Sequence, residues 1–174
     1  MKVFLNPGHA PNGNPDPGAC GCGLRECDVA KSVADLVAGY LVAAGVEVVG
    51  NMQDDDLYAI TSTANASGAD IFISIHCNAF NGSAQGTEVE VHPGSSAGRA
   101  LGNCIQRQIV DSLGTADRGL KDRLDLWVIK RTDMPAVLVE LAFIDHEGDA
   151  ALLCDRQDDF ARAIARGVTD YAAQ

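Results

Sequence analysis

The chain has few basic residues for its length. Of its 174 residues, 13 are Lys or Arg and 24 are Asp or Glu, so the formal net charge is −11 at pH 7. Nucleic acids and anionic membranes are bound through cationic contacts, and this charge balance argues against both as partners. Solubility is a sufficient explanation for the acidity.

Long apolar runs are also missing. Hydrophobic residues make up 47% of the chain, as in an ordinary globular protein, but no run approaches the roughly 20 residues that cross a bilayer. The apolar segment at residues 3–5 ends at Pro7 and Gly8 and is too short for the core of a signal peptide. We therefore expect no membrane insertion, and residues 2–5 are predicted to form the first strand.

The chain has six cysteines, an even number, but they do not imply a disulfide framework. A chain of this length and apolar content does not need disulfides to fold. Cys104 and Cys154 fall within apolar helical patterns and are expected in the core. Cys20, Cys22 and Cys27 cluster in one loop, and their spacing matches no strong zinc-site pattern. A disulfide, a second metal and free thiols all stay open for this cluster.

Strand and helix patterns alternate along most of the chain. Short apolar runs predict strands, and apolar residues at three- and four-residue steps predict helices. Strands are expected at 2–5, 46–49, 71–76, 86–92, 126–129 and 136–141, and helices at 26–44, 57–67, 95–113, 150–154 and 157–172. This order predicts an α/β fold, with a layered, mostly parallel (mixed), twisted sheet of about six strands and helices on both faces.

Three further segments are read from their composition. Residues 10–25 form a long loop between a strand end and a helix start, where open α/β sheets place their sites. Polar and apolar residues alternate at 86–92, which is typical of a half-buried or edge strand, and 114–125 reads as a charged surface loop. No repeat, low-complexity tract or linker marks a second domain, so residues 1–174 are predicted to be a single domain.

A lone carboxylate lies in the most apolar strand. Nine of the ten residues at 135–144 are apolar or proline, and the tenth is Glu140. A run of Val and Leu without polar alternation predicts a strand buried on both faces, where an ionised carboxylate is costly unless it is paired. Glu140 is therefore either a core residue satisfied by an arginine or by backbone donors, or part of a functional site.

Four ionisable residues stand at strand ends or at a helix start. His9 follows the first strand, Glu26 opens the first helix, His76 ends the third strand and Glu140 ends the late strand. Each has an ordinary structural interpretation, such as an acidic residue favoured by a helix dipole. The carboxyl ends of parallel strands share one edge, however, so all four can converge there. Two histidines and a carboxylate are the ligand set of a catalytic zinc site, beside which a second carboxylate can act as general base.

Motifs at these positions carry a resemblance to a known family. The matching blocks follow one another with the same order and spacing over nearly the whole chain, at 5–9, Glu26, 69–80, 86–89, 126–131 and 135–144. With them the chain resembles the zinc-dependent N-acetylmuramoyl-L-alanine amidases of the amidase-3 type. The resemblance implies one catalytic zinc ion held by His9, Glu26 and His76, with Glu140 as the catalytic glutamate. It implies cleavage of the amide between N-acetylmuramic acid and the L-alanine of the peptidoglycan stem peptide.

Further expectations concern the substrate and the place of action. Asn78, just past a ligand, and His146, just past the late strand, are candidates for contacts with substrate. The partner is expected to be peptidoglycan, at the cell wall outside the membrane, and a monomer is the default. Because no signal peptide or wall-binding module is recognised, we expect a phage- or prophage-type lysin, or a domain of a longer exported protein.

The chain also departs from the family pattern. The family often has an arginine after the second strand and another in the following helix, whereas residues 50–53 and 61–65 contain none. These changes bear on stem-peptide preference or on local packing. The cysteines near Glu26 are not a family feature, and a thiolate could compete for zinc and close the open position. Two other hypotheses therefore stay open: an inactive relative that binds wall fragments or a partner with a structural zinc, and a thiol-redox or metal-sensing protein.

Overall fold

A single six-stranded sheet organises the computed structural model, which describes residues 1–174. The elements in chain order are β1 (Lys2–Pro7), a 3₁₀ turn (Pro11–Gly13), β2 (Cys20–Gly21), β3 (Leu24–Arg25), α1 (Glu26–Ala43), β4 (Glu47–Asn51), α2 (Leu57–Ala66), β5 (Ile71–Asn78), β6 (Thr87–Val91), α3 (Ser96–Leu113), β7 (Asp117–Asp122), α4 (Trp127–Lys130), β8 (Ala136–Phe143), α5 (Glu147–Asp155) and α6 (Gln157–Ala172). The predicted α/β fold with a mixed, mostly parallel sheet is confirmed.

The strand order is β4-β1-β5-β8-β6-β7. The first four strands in this order are parallel, β6 is antiparallel to β8, and β7 is parallel to β6. The carboxyl ends of β1, β5 and β8 therefore share one edge with the amino ends of β6 and β7. We call this the catalytic edge, because the candidate site described below lies there.

Side-chain parity divides the core between the two faces of the sheet. Successive side chains of a strand point to opposite faces, so Ile71, Ile73 and Ile75 of β5 join a cluster of 30 buried residues beneath α1, α3 and α6. Phe72 points the other way, into a smaller cluster of eight buried residues beneath α2 and α4. Each fully buried Ile or Phe contributes about 1.5–3 kcal/mol of transfer free energy, so the larger cluster contributes most of the hydrophobic stabilisation.

Helix ends and close helix contacts follow local sequence. The Asp56 side chain accepts hydrogen bonds from the backbone of Tyr58 and Ala59 and thereby caps α2. The α3 helix ends at Gly114 in the left-handed region, with φ 68°. Gly167 of α6 lies against Ile105 of α3 so closely that a Cβ at Gly167 would be 2.6 Å from the Ile105 Cα. None of the helices combines the length and hydrophobicity that crossing a membrane requires.

Two sequence predictions about the second half of the chain were wrong. The charged loop expected at 114–125 contains β7, an edge strand in which Leu120 is the only strongly apolar residue. Charged side chains are common on edge strands, because they prevent pairing with other chains. The strand expected at 126–129 is the short helix α4, whose Val128 and Ile129 pack against the sheet.

Burial also corrects two expectations. The alternating segment at 86–92 is not an edge strand: β6 lies between β8 and β7, and all five of its residues are buried. Cys104 is buried as expected, but Cys154 is exposed. Helix α5 begins at Glu147, earlier than predicted, and turns Ala150 and Leu153 towards the core, which leaves Cys154 on the outer face.

Two loops lie at the catalytic edge. The loop at 8–25 contains the 3₁₀ turn and ends in the hairpin of β2 and β3, which leads directly into α1. The loop at 79–86 leaves β5 and enters β6 at the same edge, and it crosses the end of β8 because β8 lies between those strands. The Asp145 carboxylate accepts hydrogen bonds from the backbone of Phe80 and Gly82 and ties this second loop down.

Candidate metal centre

Three side chains from separate parts of the chain meet at the catalytic edge. His9 follows β1, Glu26 begins α1 and His76 lies near the end of β5. Their candidate ligand atoms all lie within 4.8 Å of one another. Glu26 is the bridge: its two oxygens lie 3.0 Å from His9 Nε2 and 2.8 Å from His76 Nδ1. The convergence expected from the strand ends is therefore present.

A buried hydrogen-bond chain orients His76. Its Nε2 lies 3.1 Å from the Ser74 hydroxyl, which in turn donates to Asn6 Oδ1 at 2.7 Å. Because Ser74 has one proton to give, Nε2–H of His76 must be the donor in the first of these bonds. The Asn6 amide is held by the backbone carbonyls of Pro7 and Met52. Nδ1 is thus the nitrogen that faces Glu26 and can bind a metal.

His9 and Glu26 are fixed in a comparable way. His9 Nδ1 donates to the Asp16 carboxylate at 2.7 Å, which leaves Nε2 facing Glu26. The two Glu26 oxygens also accept from the backbone N–H groups of Ala19 at 2.8 Å and Cys77 at 3.0 Å. A carboxylate or hydroxyl behind each histidine is the usual outer arrangement of metal sites, since it sets the tautomer and the ring orientation.

Electrostatics couple the three groups. Burial raises the pKa of Glu26, but hydrogen bonds from His76 and His9 outweigh burial and hold that pKa well below its usual range. Burial lowers the pKa of His9, while hydrogen bonds with Glu26 and Asp16 outweigh it and raise the pKa to about 9. The metal-free site therefore holds the Glu26 carboxylate against a His9 ring that favours its protonated form, and a divalent cation can replace that proton.

Glycines and one strained backbone position make room for the rings. A Cβ on Gly8 would lie 2.3 Å from His76 Cε1, and a Cβ on Gly18 would lie 2.4 Å from His9 Cδ2. Gly18 has φ +69°, a region that side chains rarely adopt. His9 itself has φ 65°. Uncommon backbone conformations of this kind concentrate at functional sites, where the surrounding structure enforces them.

Glu140 stands next to the ligands without a partner. It is paired in register with His76 on the neighbouring parallel strand, so both side chains project from the same face. Its Oε2 is buried and has no hydrogen-bond partner. Burial raises the pKa of Glu140 well above its ordinary value, and the carboxylates of Glu26, Glu90 and Glu88 raise it further. The arginine or backbone donors considered for Glu140 do not satisfy this oxygen.

A row of acidic side chains continues past Glu140. Glu88 of β6 is the antiparallel register partner of Glu140, and Glu90 follows on the same strand face. Both are buried and each has an arginine: Arg118 Nε lies 2.7 Å from Glu88 Oε2, and Arg123 Nη1 lies 2.6 Å from Glu90 Oε1. The polar residues of β6, which suggested an edge strand, are therefore buried in ion pairs. The sequence pattern alone does not show whether such residues are buried in pairs or exposed to solvent.

A cleft of about 280 Å³ opens beside His9 and His76. Trp127, which is 39% exposed, lies at an apolar wall that extends across α2 and α4. Acidic residues also line the cleft, and they are Asp16, Asp54 and Asp55. A wider depression of about 470 Å³ lies between α1 and α6, away from the clustered ligands.

The remaining sequence candidates have these positions. The Asn78 amide donates to Glu88 Oε1 at 2.8 Å. His146 caps α5 by accepting from the Asp149 backbone, and it does not line the cleft. All six cysteines are free thiols: Cys20 and Cys22 are exposed and Cys27 is buried. No cysteine belongs to the group of potential metal ligands.

Three residues that position the ligands were not predicted. Asp16 lies in an irregular loop, whose conformation has no periodic signal in the sequence. Asn6 and Ser74 are register partners on β1 and β5. Ser74 did carry a signal, because it is a polar residue two positions before His76 in an otherwise apolar strand, and so shares its face.

A family model described as N-acetylmuramoyl-L-alanine amidase matches residues 3–170. The chain belongs to this family. The resemblance drawn from the sequence is thereby confirmed, and the matched range includes all three candidate ligands and Glu140.

Relatives and solved structures agree with the family. The chain is 38% identical to the uncharacterized protein YqiI of Bacillus subtilis, over 99% of this chain and 85% of that protein. It is 37% identical to the N-acetylmuramoyl-L-alanine amidase LytC of Bacillus subtilis over 97% of this chain, but spans only 35% of LytC. It is 34% identical to the endolysin of Bacillus phage SPP1, over 99% of this chain and 65% of the endolysin.

Among solved structures, the N-acetylmuramoyl-L-alanine amidase from Clostridium difficile 630 superposes with a TM-score of 0.91 at 29% identity, covering 99% of this chain and 97% of that one. AmiC2 of Nostoc punctiforme gives 0.90 at 30% identity, covering 100% of this chain and 98% of that one. The six-stranded fold described above is thus the fold of these amidases.

Proposed function

We propose that this protein is a zinc-dependent hydrolase of peptidoglycan. It cleaves the amide between N-acetylmuramic acid and the L-alanine of the stem peptide. The observation that carries the proposal is the convergence of His9, Glu26 and His76, with ligand atoms within 4.8 Å of one another, beside the unpartnered carboxylate of Glu140. Membership of the amidase family supports the choice of bond.

The donor set suits zinc. His9 and His76 offer imidazole nitrogens and Glu26 a carboxylate oxygen, which is a three-ligand set of the kind that leaves a fourth position for water or substrate. Zinc bound there would supply a Lewis acid and lower the pKa of a water molecule. Asp16 and Ser74 hold the two rings in the tautomers that such binding needs.

Glu140 is proposed as the general acid–base. Hydrolysis of an amide needs one proton removed from the attacking water and one delivered to the leaving nitrogen, and a single carboxylate can do both in turn. Its raised pKa favours the first transfer, since burial and the neighbouring carboxylates make the ionised form of Glu140 a stronger base towards water. The rigid, buried β8 holds this group beside His76.

A catalytic zinc is better supported than a structural one. A structural site would need a fourth protein ligand, and no cysteine lies with the three ligand side chains. The side of the cluster that faces the cleft is open to solvent, because His9 and His76 both line that cleft.

We infer that residues 1–174 act as one catalytic domain on the cell wall. The single sheet and the match over residues 3–170 support one functional unit. The relatives include a phage endolysin and the amidase LytC, and peptidoglycan is the substrate shared by such enzymes. Asn78 and His146 remain candidates for substrate contact, the first through its position between the ligand strand and Glu88.

Mass spectrometry of digested peptidoglycan tests the proposal. Purified sacculi are incubated with the zinc-loaded protein, and the soluble products are analysed. Free stem peptides that begin with the amino group of L-alanine are expected, with the glycan strands left intact. Release of shortened glycans or of peptides cut elsewhere would assign a different bond, and no release at all would leave a binding role instead.

A further inference from the structure

Arg118 presents an oriented guanidinium at the catalytic edge. Its Nε donates to Glu88 at 2.7 Å, and its guanidinium carbon lies 4.9 Å from the centre of the Phe143 ring. Glu88 is in turn held by the Asn78 amide. A guanidinium anchored at one nitrogen and stacked on a buried ring has lost much of its freedom before any ligand arrives.

The outer nitrogens of Arg118 are free. Neither Nη1 nor Nη2 donates a hydrogen bond, and the side chain is 36% exposed. Arg123, which pairs with the other buried glutamate of β6, differs in this respect. It donates through Nη1 to Glu90 and through Nε and Nη2 to the two oxygens of Asp125. Of these two arginines, Arg118 alone therefore has a free pair of donors of the kind that binds a carboxylate in fork geometry.

The position of Arg118 relates it to the proposed scissile bond. His76, Glu140 and Glu88 stand side by side in register on β5, β8 and β6. Neighbouring strands are about 4.8 Å apart, so Glu88 and its arginine partner lie on the order of 10 Å from the ligand strand. An extended peptide advances about 3.5 Å per residue. A group bound at Arg118 would thus belong to the first or second residue beyond L-alanine.

The charged residues on the two sides of the metal centre differ, and they favour one orientation of the substrate. The cleft beside the ligands has an apolar wall at Trp127 and an acidic lining that includes Asp54 and Asp55, which would repel an anionic peptide but accept an uncharged sugar. Arg131 lies over the Trp127 ring, but it does not line this cleft. The β6 side carries the free guanidinium of Arg118 instead.

We propose that Arg118 binds a carboxylate of the stem peptide, on the first or second residue beyond L-alanine, while the sugar occupies the cleft at Trp127. This specificity site rests on the amidase function proposed above. It would make the enzyme favour peptides with a free carboxylate there over peptides in which that carboxylate is amidated.

Two synthetic substrates test the proposal. Both are N-acetylmuramoyl peptides of the same sequence, and they differ only in a free carboxylate or a carboxamide at the residues beyond L-alanine. The zinc-loaded wild type is expected to cleave the carboxylate form with about tenfold or higher kcat/KM, because a charge-assisted, two-point hydrogen bond is lost in the amide. The difference should appear mainly in KM, since Arg118 lies away from the reacting atoms.

Variants separate binding from folding. In R118K and R118Q, the ratio of kcat/KM for the carboxylate substrate to kcat/KM for the carboxamide substrate is expected to fall close to one. Because R118Q leaves Glu88 buried without its partner, the double variant R118Q/E88Q is included, and it should be folded but equally indifferent to the carboxylate. R123Q is the matched control, because it removes the arginine partner of Glu90 just as R118Q removes that of Glu88. It should keep the wild-type preference for the carboxylate.

Each outcome is decisive. A wild type that cleaves both substrates equally, or an R118Q/E88Q variant that keeps the preference, would overturn the carboxylate site and leave the amidase function standing. Cleavage of neither substrate by the wild type would overturn the amidase function and this site with it. Loss of the preference in R123Q as well would assign the effect to general disturbance of β6.

Discussion

Each of the two histidines proposed as ligands is oriented by a side chain that we did not predict from the sequence. His9 and His76 could be predicted because they follow apolar strands, and parallel strands end at one edge. Asp16 and the Ser74–Asn6 pair depend on contacts between segments that are far apart in the chain. Periodicity describes which face a residue occupies, but not which loop folds back onto a ring.

Asp16→Asn is expected to weaken zinc binding about 10–100-fold. The carboxylate that orients His9 and increases its basicity becomes an amide, and outer partners of this kind typically contribute that much to metal affinity. Competition with a chromophoric chelator measures the change. Asp55→Asn serves as control, because Asp55 lines the same cleft but makes no hydrogen bond with a ligand. Equal affinities in all three proteins would show that Asp16 is dispensable.

Glu140→Gln is expected to lower turnover of sacculi by about 10²–10⁴-fold while zinc stays bound, since general acid–base catalysis contributes this much. Folding should not suffer, because the replaced oxygen has no partner in the structure. The exposed Glu147→Gln is the control. Metal content by atomic absorption, thermal melts and sacculus clearing together check the prediction, and wild-type clearing by Glu140→Gln would remove Glu140 from the mechanism.

Short elements were the ones that sequence patterns misassigned. The strand β7 has a single strongly apolar residue, Leu120, so its sequence reads as a charged loop. The helix α4 is one turn long, and four apolar-rich residues cannot show whether their period is two or 3.6. Long, strongly patterned elements such as α1, β5 and β8 were predicted at nearly their observed bounds, because many residues there repeat the same signal.

Gln53 illustrates how the missing arginines bear on local packing. It lies in the segment after the second strand in which the family often has an arginine, and its amide donates to the backbone carbonyls of Gly8 at 3.1 Å and Cys27 at 2.8 Å. These two carbonyls belong to the segments that carry His9 and Glu26. A neutral amide thus joins the two ligand-bearing segments here.

Gly18→Ala is expected to disrupt the loop that supports the metal centre. The new methyl group would lie 2.4 Å from His9 Cδ2 and 2.6 Å from Glu26 Oε2, so both ligands must move and zinc affinity should fall by at least tenfold. Gly23→Ala provides the matched control, because Gly23 has a similar φ of +81° but nothing within 4 Å of its Cβ position.

In both alanine variants the new residue must adopt the left-handed region, which costs about 1 kcal/mol. Only in Gly18→Ala does the new methyl group also collide with His9 and Glu26. Zinc titrations of the two proteins isolate the collision from the backbone effect. Similar affinities in both variants would mean that the loop can shift away from His9 without loss.

The stability of the metal-free protein should depend on pH through His9. Its folded pKa is raised from 6.5 to about 9 by hydrogen bonds with Glu26 and Asp16, against the lowering effect of burial. The stabilisation is therefore complete below pH 6.5 and is lost as the pH rises through 9. Urea denaturation in the presence of a chelator should give a midpoint that falls over this interval.

Zinc should reverse this trend. Metal binding needs neutral imidazole, so the stabilisation by zinc should grow from pH 6.5 to 9. His9→Gln should flatten both curves. A metal-free midpoint that is constant across the interval would contradict the coupling between His9 and Glu26.

Helices on both faces, a mixed sheet and a site at the strand ends could be predicted for the whole molecule, because alternating patterns restrict the possible topologies. The reversal of β6 and β7 could not, since sequence patterns carry no strand direction. That reversal brings Glu88 beside Glu140, and with it the arginine that distinguishes the two sides of the site.

The same reversal has a consequence for engineering. Because β6 runs antiparallel to β8, the loop at 79–86 begins and ends at the catalytic edge and spans the end of β8 without entering a layer of the fold. Asp145 fixes it at Phe80 and Gly82, and Ser83 and Ala84 donate hydrogen bonds to the Asn81 side chain rather than to the sheet. We expect that longer segments can be grafted at 83–85 without a shift in strand register, because the entropic cost of closing a loop grows only slowly with its length. This loop is therefore a place where length and sequence can be varied while the metal centre is left untouched.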